Sequence, residues 1–149
     1  MTSAWDTFRA GAVPERLGAQ LSHALRALTV AVGGRNSQTA AQAALDVANA
    51  TLDLQLRYRP VVQINQARFE LWARQLLVDA AAKNAAAVHG DVTTLAWIRD
   101  RIALNSADGN GIDDQLRYLR SVADANEFEV AMVQAARLRE TLAGLKPAP

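Results

Sequence analysis

The fold is decided by residues 60–88, PVVQINQARFELWARQLLVDAAAKNAAAV, in which apolar side chains recur every three or four positions. At about 100° per residue, this spacing predicts one helix, from about Pro60 to Lys83 or Val88, with two apolar faces. The first face carries Val62, Phe69, Ala73, Leu76 and Ala80, and the second carries Ile64, Ala67, Leu71 and Val78. A helix that is apolar on two sides must be covered on two sides, so we predict that this third helix is central in a bundle.

The flanking sequence has the same helical period, and turn residues divide it. Pro14 is expected to open the first helix, Gly33-Gly34 to end it, and Asn36 or Ser37 to cap the second. Gly90 is expected to close the third region, with Asp91 capping a fourth helix. Residues 106–111 are rich in Gly, Asn and Asp and predict a loop, and two further helical stretches follow. No sustained apolar/polar alternation indicates a strand.

We therefore predict an all-α protein, a single-domain antiparallel bundle of four to six helices. A chain of 149 residues matches the size of one domain. Residues 1–13 would form an N-terminal arm or short helix, and residues 145–149, with their two prolines, a flexible tail.

Composition argues against several classes of function. A net charge of +1 removes the broad positive field of nucleic-acid binders, and the absence of Cys removes disulfides and thiolate metal sites. No apolar run approaches the ~20 residues that span a bilayer. Asp6 and Arg9 interrupt the start of the chain, so we expect no intact signal peptide. The default expectation is a cytoplasmic protein, or an exported one if the chain is a trimmed mature form.

Catalytic motifs are also missing. The sequence contains no GxSxG, no phosphate-binding glycine loop and no HExxH, and its histidines, His23 and His89, are far apart. The 106–111 stretch resembles a calcium-binding loop only in composition, because Arg117 stands where a closing Glu is required. It is better interpreted as a connection in which Asp108 or Asp113 caps the next helix. We predict no cofactor, and the least implausible acid/base residues are Glu70, Asp79 and His23.

Two groups of residues are candidates for binding a ligand or partner. On the third helix they are Arg68, Trp72, Gln75 and Asp79, where Trp72 offers an anchor, Arg68 a stacking cation and Asp79 a carboxylate. At the end of the second helix they are Arg57, Tyr58 and Arg59. The alternative interpretation of the first group is a solvated stripe with an Asp79–Lys83 pair and a half-covered Trp72.

These features favour a non-catalytic module that binds a protein partner or its own copy, with Trp5 and Phe8 available to cover a twin subunit. A small ligand is the other type of partner. The alternative function is an exported or envelope-associated protein that binds a metal ion or solute through helix carboxylates. Weak metal candidates are Asp46, Asp53 and Asp108, with Asp79 as a further carboxylate for this alternative.

A short internal echo relates residues 53–58, DLQLRY, to residues 113–118, DDQLRY. A duplicated helical hairpin would explain it, and so would chance or similar packing demands. The sequence leaves both explanations open.

Overall fold

The computed structural model describes residues 13–102, 104 and 106–144, and these contain six α-helices and no strand. The helices are α1 (Glu15–Gly33), α2 (Ser37–Gln55), α3 (Val61–Ala81), α4 (Ala85–Arg99), α5 (Ser106–Asp124) and α6 (Phe128–Gly144). The all-α prediction is confirmed. Trp5 and Phe8 lie outside the described residues, as does the predicted 145–149 tail. None of the described helices combines the length and the apolarity needed to cross a bilayer.

Contacts divide the chain into two compact units, residues 1–59 and 60–149. In the first unit, α1 packs along α2 around Leu21, Ala50 and Leu54. Half-buried Leu17, Leu25 and Val47 extend this small cluster. The expectation that the 149 residues form one domain stays a prediction.

The second unit is a four-helix bundle in which each helix contacts two neighbours, α3 with α4 and α6, and α5 with α4 and α6. Polar pairs show that sequential helices run antiparallel. Asn65 of α3 donates to the carbonyl of Arg101 just after α4, at 3.4 Å, and Gln115 in the middle of α5 donates to Thr141 late in α6, at 2.9 Å. The connections of three to six residues suit this up-and-down order.

The first apolar face predicted for α3 forms the centre of this bundle. Phe69, Ala73 and Leu76 have no exposed surface, and Ala80 is buried beside them. They pack in one cluster with residues from the other three helices, including Val88, Leu95, Ile112, Leu119, Ala135 and Leu138. Of the second face, Ile64 is fully buried, whereas Ala67, Leu71 and Val78 are half-buried. Val62 was wrongly placed in the core, because it lies in the first turn of α3 and is 44% exposed.

The helix ends at Ala81, so the predicted end at Lys83 is correct to within two residues and the alternative end at Val88 is wrong. Lys83 has a left-handed backbone, with φ of 54°, and the Asn84 N–H donates to the Asp79 carbonyl at 3.0 Å. This is the six-to-one hydrogen bond that closes a helix C-terminus. The Asn84 side chain then accepts from the Ala87 N–H at 3.2 Å and caps α4. Gly90 and Asp91 are therefore interior to α4 and do not end or cap a helix.

The same closure recurs at all three hairpin turns of the described chain. Arg35 and Asn126 have φ of 52° and 57°, and the residue after each donates back to the helix in the same pattern. Asn36 also caps α2 through the Thr39 N–H, as predicted. The two segments of the DLQLRY echo do not occupy equivalent positions in these hairpins. Residues 53–58 end the second arm of one hairpin, whereas residues 113–118 lie within the first arm of another.

Residues 106–111 were predicted to be a loop but form the first turns of α5. Arg99, at the end of α4, holds them: its Nε lies 2.9 Å from Asp113 Oδ1, and its Nη2 donates to Asp113 Oδ2 at 3.1 Å. Gly109 permits this approach, since a Cβ there would lie 2.7 Å from Arg99 Nη2. Asp108 and Asp113 are thus helical residues of α5, and neither the flexible connection nor a calcium loop is present here.

Two glycines of α5 provide a matched test of this helix. Gly111→Ala adds a Cβ into open space, so it should raise the free energy of unfolding by about 1 kcal/mol through helix propensity. Gly109→Ala should gain less or destabilise the protein, because the new Cβ displaces Arg99 from Asp113. Urea unfolding followed by circular dichroism measures both. Equal stabilisation by the two substitutions would contradict the Arg99 contact, and no effect of Gly111→Ala would contradict the early start of α5.

Candidate functional site

The predicted group Arg57, Tyr58 and Arg59 lies in the exposed segment that follows α2. Tyr58 is 71% exposed, and Arg59 donates to Gln55 Oε1 one turn back, at 2.8 Å. This group belongs to the first unit, whereas the group on α3 belongs to the second. Whether either group binds a ligand or partner stays a prediction.

On α3, the side chains of Arg68, Trp72, Gln75 and Asp79 are half-buried. Trp72 packs against the bundle core, which covers part of its ring. Gln75 donates to Asp79 Oδ2 at 2.7 Å. The expected Asp79–Lys83 pair is wrong, because the helix ends at Ala81 and Lys83 lies in the left-handed turn, where helical spacing no longer applies.

Asp79 instead interacts with a residue that the sequence placed in a capping role. Asp91 is 4% exposed, on the side of α4 that faces α3. Burial, and then the negative charge of Asp79 and a hydrogen bond with its side chain, raise the pKa of Asp91 to about 8. Asp91 therefore keeps its proton at neutral pH, beside the half-buried Asp79. This acid pair should make the α3–α4 contact sensitive to pH.

The other candidate carboxylates are dispersed. Asp46 is exposed on α2, where it accepts a hydrogen bond from Gln42 at 3.1 Å. Asp53 lies in the first unit and Asp108 in the second. Within the described ranges, no three His, Asp or Glu side chains cluster in a way that could hold a metal ion. Of the acid/base candidates, Glu70 pairs with Arg74 at 2.6 Å, and Asp79 lies about 14 Å farther along α3. His23 is exposed on α1, in the other unit.

The outer face of α4 carries an arrangement that the sequence analysis did not single out. Trp97 is 57% exposed, and the Arg101 guanidinium carbon lies 3.2 Å from the centre of its ring. Arg101 Nη1 also donates to the Trp97 carbonyl at 2.7 Å. The cation is thus held against the ring by a stacking contact and a hydrogen bond. The pair forms an amphipathic surface feature.

A groove of about 270 Å³ runs between α4 and α5 beside this pair. Its apolar floor is formed by Val92, Ala96 and Leu116, and its charged walls by Arg99, Asp100, Asp113, Arg117 and Arg120. Trp97 and Arg101 are not among the residues that line the groove, and Trp97 lies one helical turn from the lining residue Asp100. We call Trp97, Arg101 and this groove the α4–α5 surface.

The sequence contained part of the signal for this surface. The spacing of Leu95, Ile98 and Ile102 directs those side chains inward and leaves Trp97 and Arg101 on another face, one turn apart. Trp72 has an equally polar neighbourhood in sequence, yet it is covered by the bundle. Only the packing distinguishes the exposed tryptophan from the covered one.

The acid pair leads to a pH prediction. The folded state keeps the Asp91 proton up to about pH 8, whereas the unfolded state releases it near 3.8, so stability should fall as pH rises between these values. Asp91→Asn should flatten this slope, because the amide does not titrate. The free energy of unfolding of the variant should increasingly exceed that of the wild type toward pH 8. The difference should be several kcal/mol at most, since one pKa unit is worth about 1.4 kcal/mol.

Asp79→Asn is the graded control for this experiment. It removes the neighbouring charge but leaves Asp91 buried, so part of the slope should remain. The measurement is the free energy of unfolding in urea from pH 4 to 9. An Asp91→Asn variant with the wild-type slope would show that Asp91 does not hold a proton in the folded state.

Comparison of the sequence and the structure with known proteins identifies no relative of this chain. No family model, no curated protein and no solved structure gives a significant match to the chain. A helical bundle alone does not indicate a function. A proposal for this protein therefore depends on the contacts and exposure of its own residues.

Proposed function

We propose that this chain is a non-catalytic interaction module that binds a protein partner through the α4–α5 surface, with Trp97 as the central anchor. The observation that carries the proposal is the exposure of Trp97, 57% in a side chain that stacks against Arg101. Tryptophan and arginine are the residues most enriched among those that dominate binding energy at protein interfaces.

The energetics support an anchor role for Trp97. Covering its exposed ring would contribute on the order of 2 kcal/mol from apolar burial. A flexible anchor loses part of this gain when it is ordered on binding. The stacking contact and the hydrogen bond between Arg101 and Trp97 should reduce this loss.

The surroundings of Trp97 also suit a protein interface. The groove beside it supplies a concave apolar floor, and charged side chains surround that floor. An apolar centre with a polar rim is the common arrangement of protein-binding surfaces. A second copy of the chain is one partner that this surface could bind, and the experiment below distinguishes it by mass.

The test places a photo-crosslinking benzoylphenylalanine at position 97 in cells of the source organism. Tyr118, on α5 and 50% exposed, provides the control, because it is another exposed aromatic side chain and lies on a different helix from Trp97. We expect a discrete crosslinked product from position 97 and none from position 118. A product of twice the chain mass would identify a second copy as the partner. Identical results at the two positions, with or without products, would overturn the assignment of the α4–α5 surface.

A further inference from the structure

The first turns of α5 contain Asn110 followed by Gly111, and no other asparagine in the sequence precedes a glycine. Asn110 is exposed, and a Cβ built on Gly111 would lie in open space. An asparagine side chain can react with the backbone nitrogen of the next residue, and glycine hinders this reaction least because it has no side chain. Asn110 is therefore the asparagine whose sequence context and exposure best suit deamidation.

The reaction is an intramolecular displacement that needs no cofactor. The Gly111 nitrogen attacks the side-chain carbonyl carbon of Asn110 and forms a new N–C bond. The amide nitrogen of Asn110 leaves as ammonia, which takes the proton of the Gly111 N–H. Water then adds to the resulting succinimide ring and opens it at one of its two carbonyl carbons. The product carries aspartate or isoaspartate at position 110, so a carboxylate replaces a neutral amide.

The helix holds the two reacting groups of this site apart. In an α-helix the Gly111 N–H donates to the carbonyl four residues back, and the backbone angles of Asn110 are fixed. The Gly111 nitrogen therefore reaches the side chain of Asn110 only when the start of α5 opens. Such opening is favoured here, because helix ends fray and Gly109 and Gly111 both lower the helix propensity of this turn.

A contact from α4 opposes this opening. Arg99 Nε lies 2.9 Å from Asp113 Oδ1, Arg99 Nη2 donates to Asp113 Oδ2 at 3.1 Å, and the guanidinium lies against Gly109. The Arg99 side chain is only 17% exposed, so water screens its ion pair less than it screens a pair on the surface. Asn110 lies between the two residues that Arg99 contacts. Opening the turn at Asn110 must therefore disturb the Arg99 contact.

We infer that Asn110 is a latent deamidation site and that the contact of Arg99 with Asp113 and Gly109 controls how fast it reacts. The isoaspartate product adds one atom to the backbone, which does not fit the hydrogen-bond spacing of an α-helix. The reaction would therefore leave the start of α5 permanently open in the modified chain.

The experiment incubates the full chain at mildly alkaline pH and follows the peptide that contains Asn110 by mass spectrometry, since the change from amide to carboxylate alters its mass. Arg99→Gln removes the ion pair and should speed deamidation of Asn110 at least about threefold, because opening the turn then costs less. Gly111→Ala should slow the reaction below the wild-type rate, because the added methyl group hinders the nitrogen and favours the helix. Circular dichroism of each variant confirms that it is folded.

Two control variants separate this local effect from others. Arg117→Gln removes an exposed ion pair within α5, to Asp114, and should leave the rate at Asn110 unchanged. Val88→Ala weakens the buried core far from Arg99 in sequence and should also leave it nearly unchanged. Equal acceleration by Val88→Ala and Arg99→Gln would show that Asn110 reacts through opening of the whole bundle, and would overturn the role given to Arg99. A wild-type rate in Arg99→Gln, or no reaction at Asn110 in that variant, would overturn the inference.

Discussion

The second unit depends on the burial of one face of α3, on which Phe69, Ala73 and Leu76 are inaccessible to solvent. Small residues at Ala73 and Ala80 bring the neighbouring helices close, and large ones at Phe69 and Leu76 fill the space between them. Each of the other three helices must present a matching apolar stripe, and each does. This requirement leaves the charged side chains on the outer faces and in the grooves between helices. The α4–α5 surface is a consequence of that sorting.

The burial of Asp91 is an exception to the placement of charged residues on the outer faces. Placing a carboxyl group at the α3–α4 contact opposite Asp79 is unfavourable unless one of the two keeps its proton, and the raised pKa of Asp91 expresses this. The Arg99–Asp113 ion pair has a different structural role at the other end of α4. There, an ion pair secures a glycine-containing stretch that has little helix propensity of its own.

The periodic apolar residues were sufficient to predict the helices and the core face of α3, and the polar residues after Gly34 predicted a cap at Asn36 or Ser37, of which the structure shows Asn36. The end of α3 stayed open between Lys83 and Val88 because the left-handed residue of this turn is Lys83, and neither Gly nor Pro marks it. The 106–111 helix was missed because its contacts come from Arg99, in another helix. For the site, helical spacing placed Trp97 and Arg101 together but could not show that Trp72 is covered and Trp97 exposed. That difference depends on which helices pack against α3 and α4.

The central claim is that Trp97 is exposed in the isolated chain and covered in its native assembly. Hydroxyl-radical footprinting with mass spectrometry tests it most directly, by comparing the oxidation rates of the tryptophans in the purified chain and in an extract of the source cells. We predict fast oxidation of Trp97 in the purified chain, protection severalfold in the extract, and slower oxidation of Trp72 in both. An unchanged rate at Trp97, after correction for the radical dose, would contradict a partner bound at the α4–α5 surface.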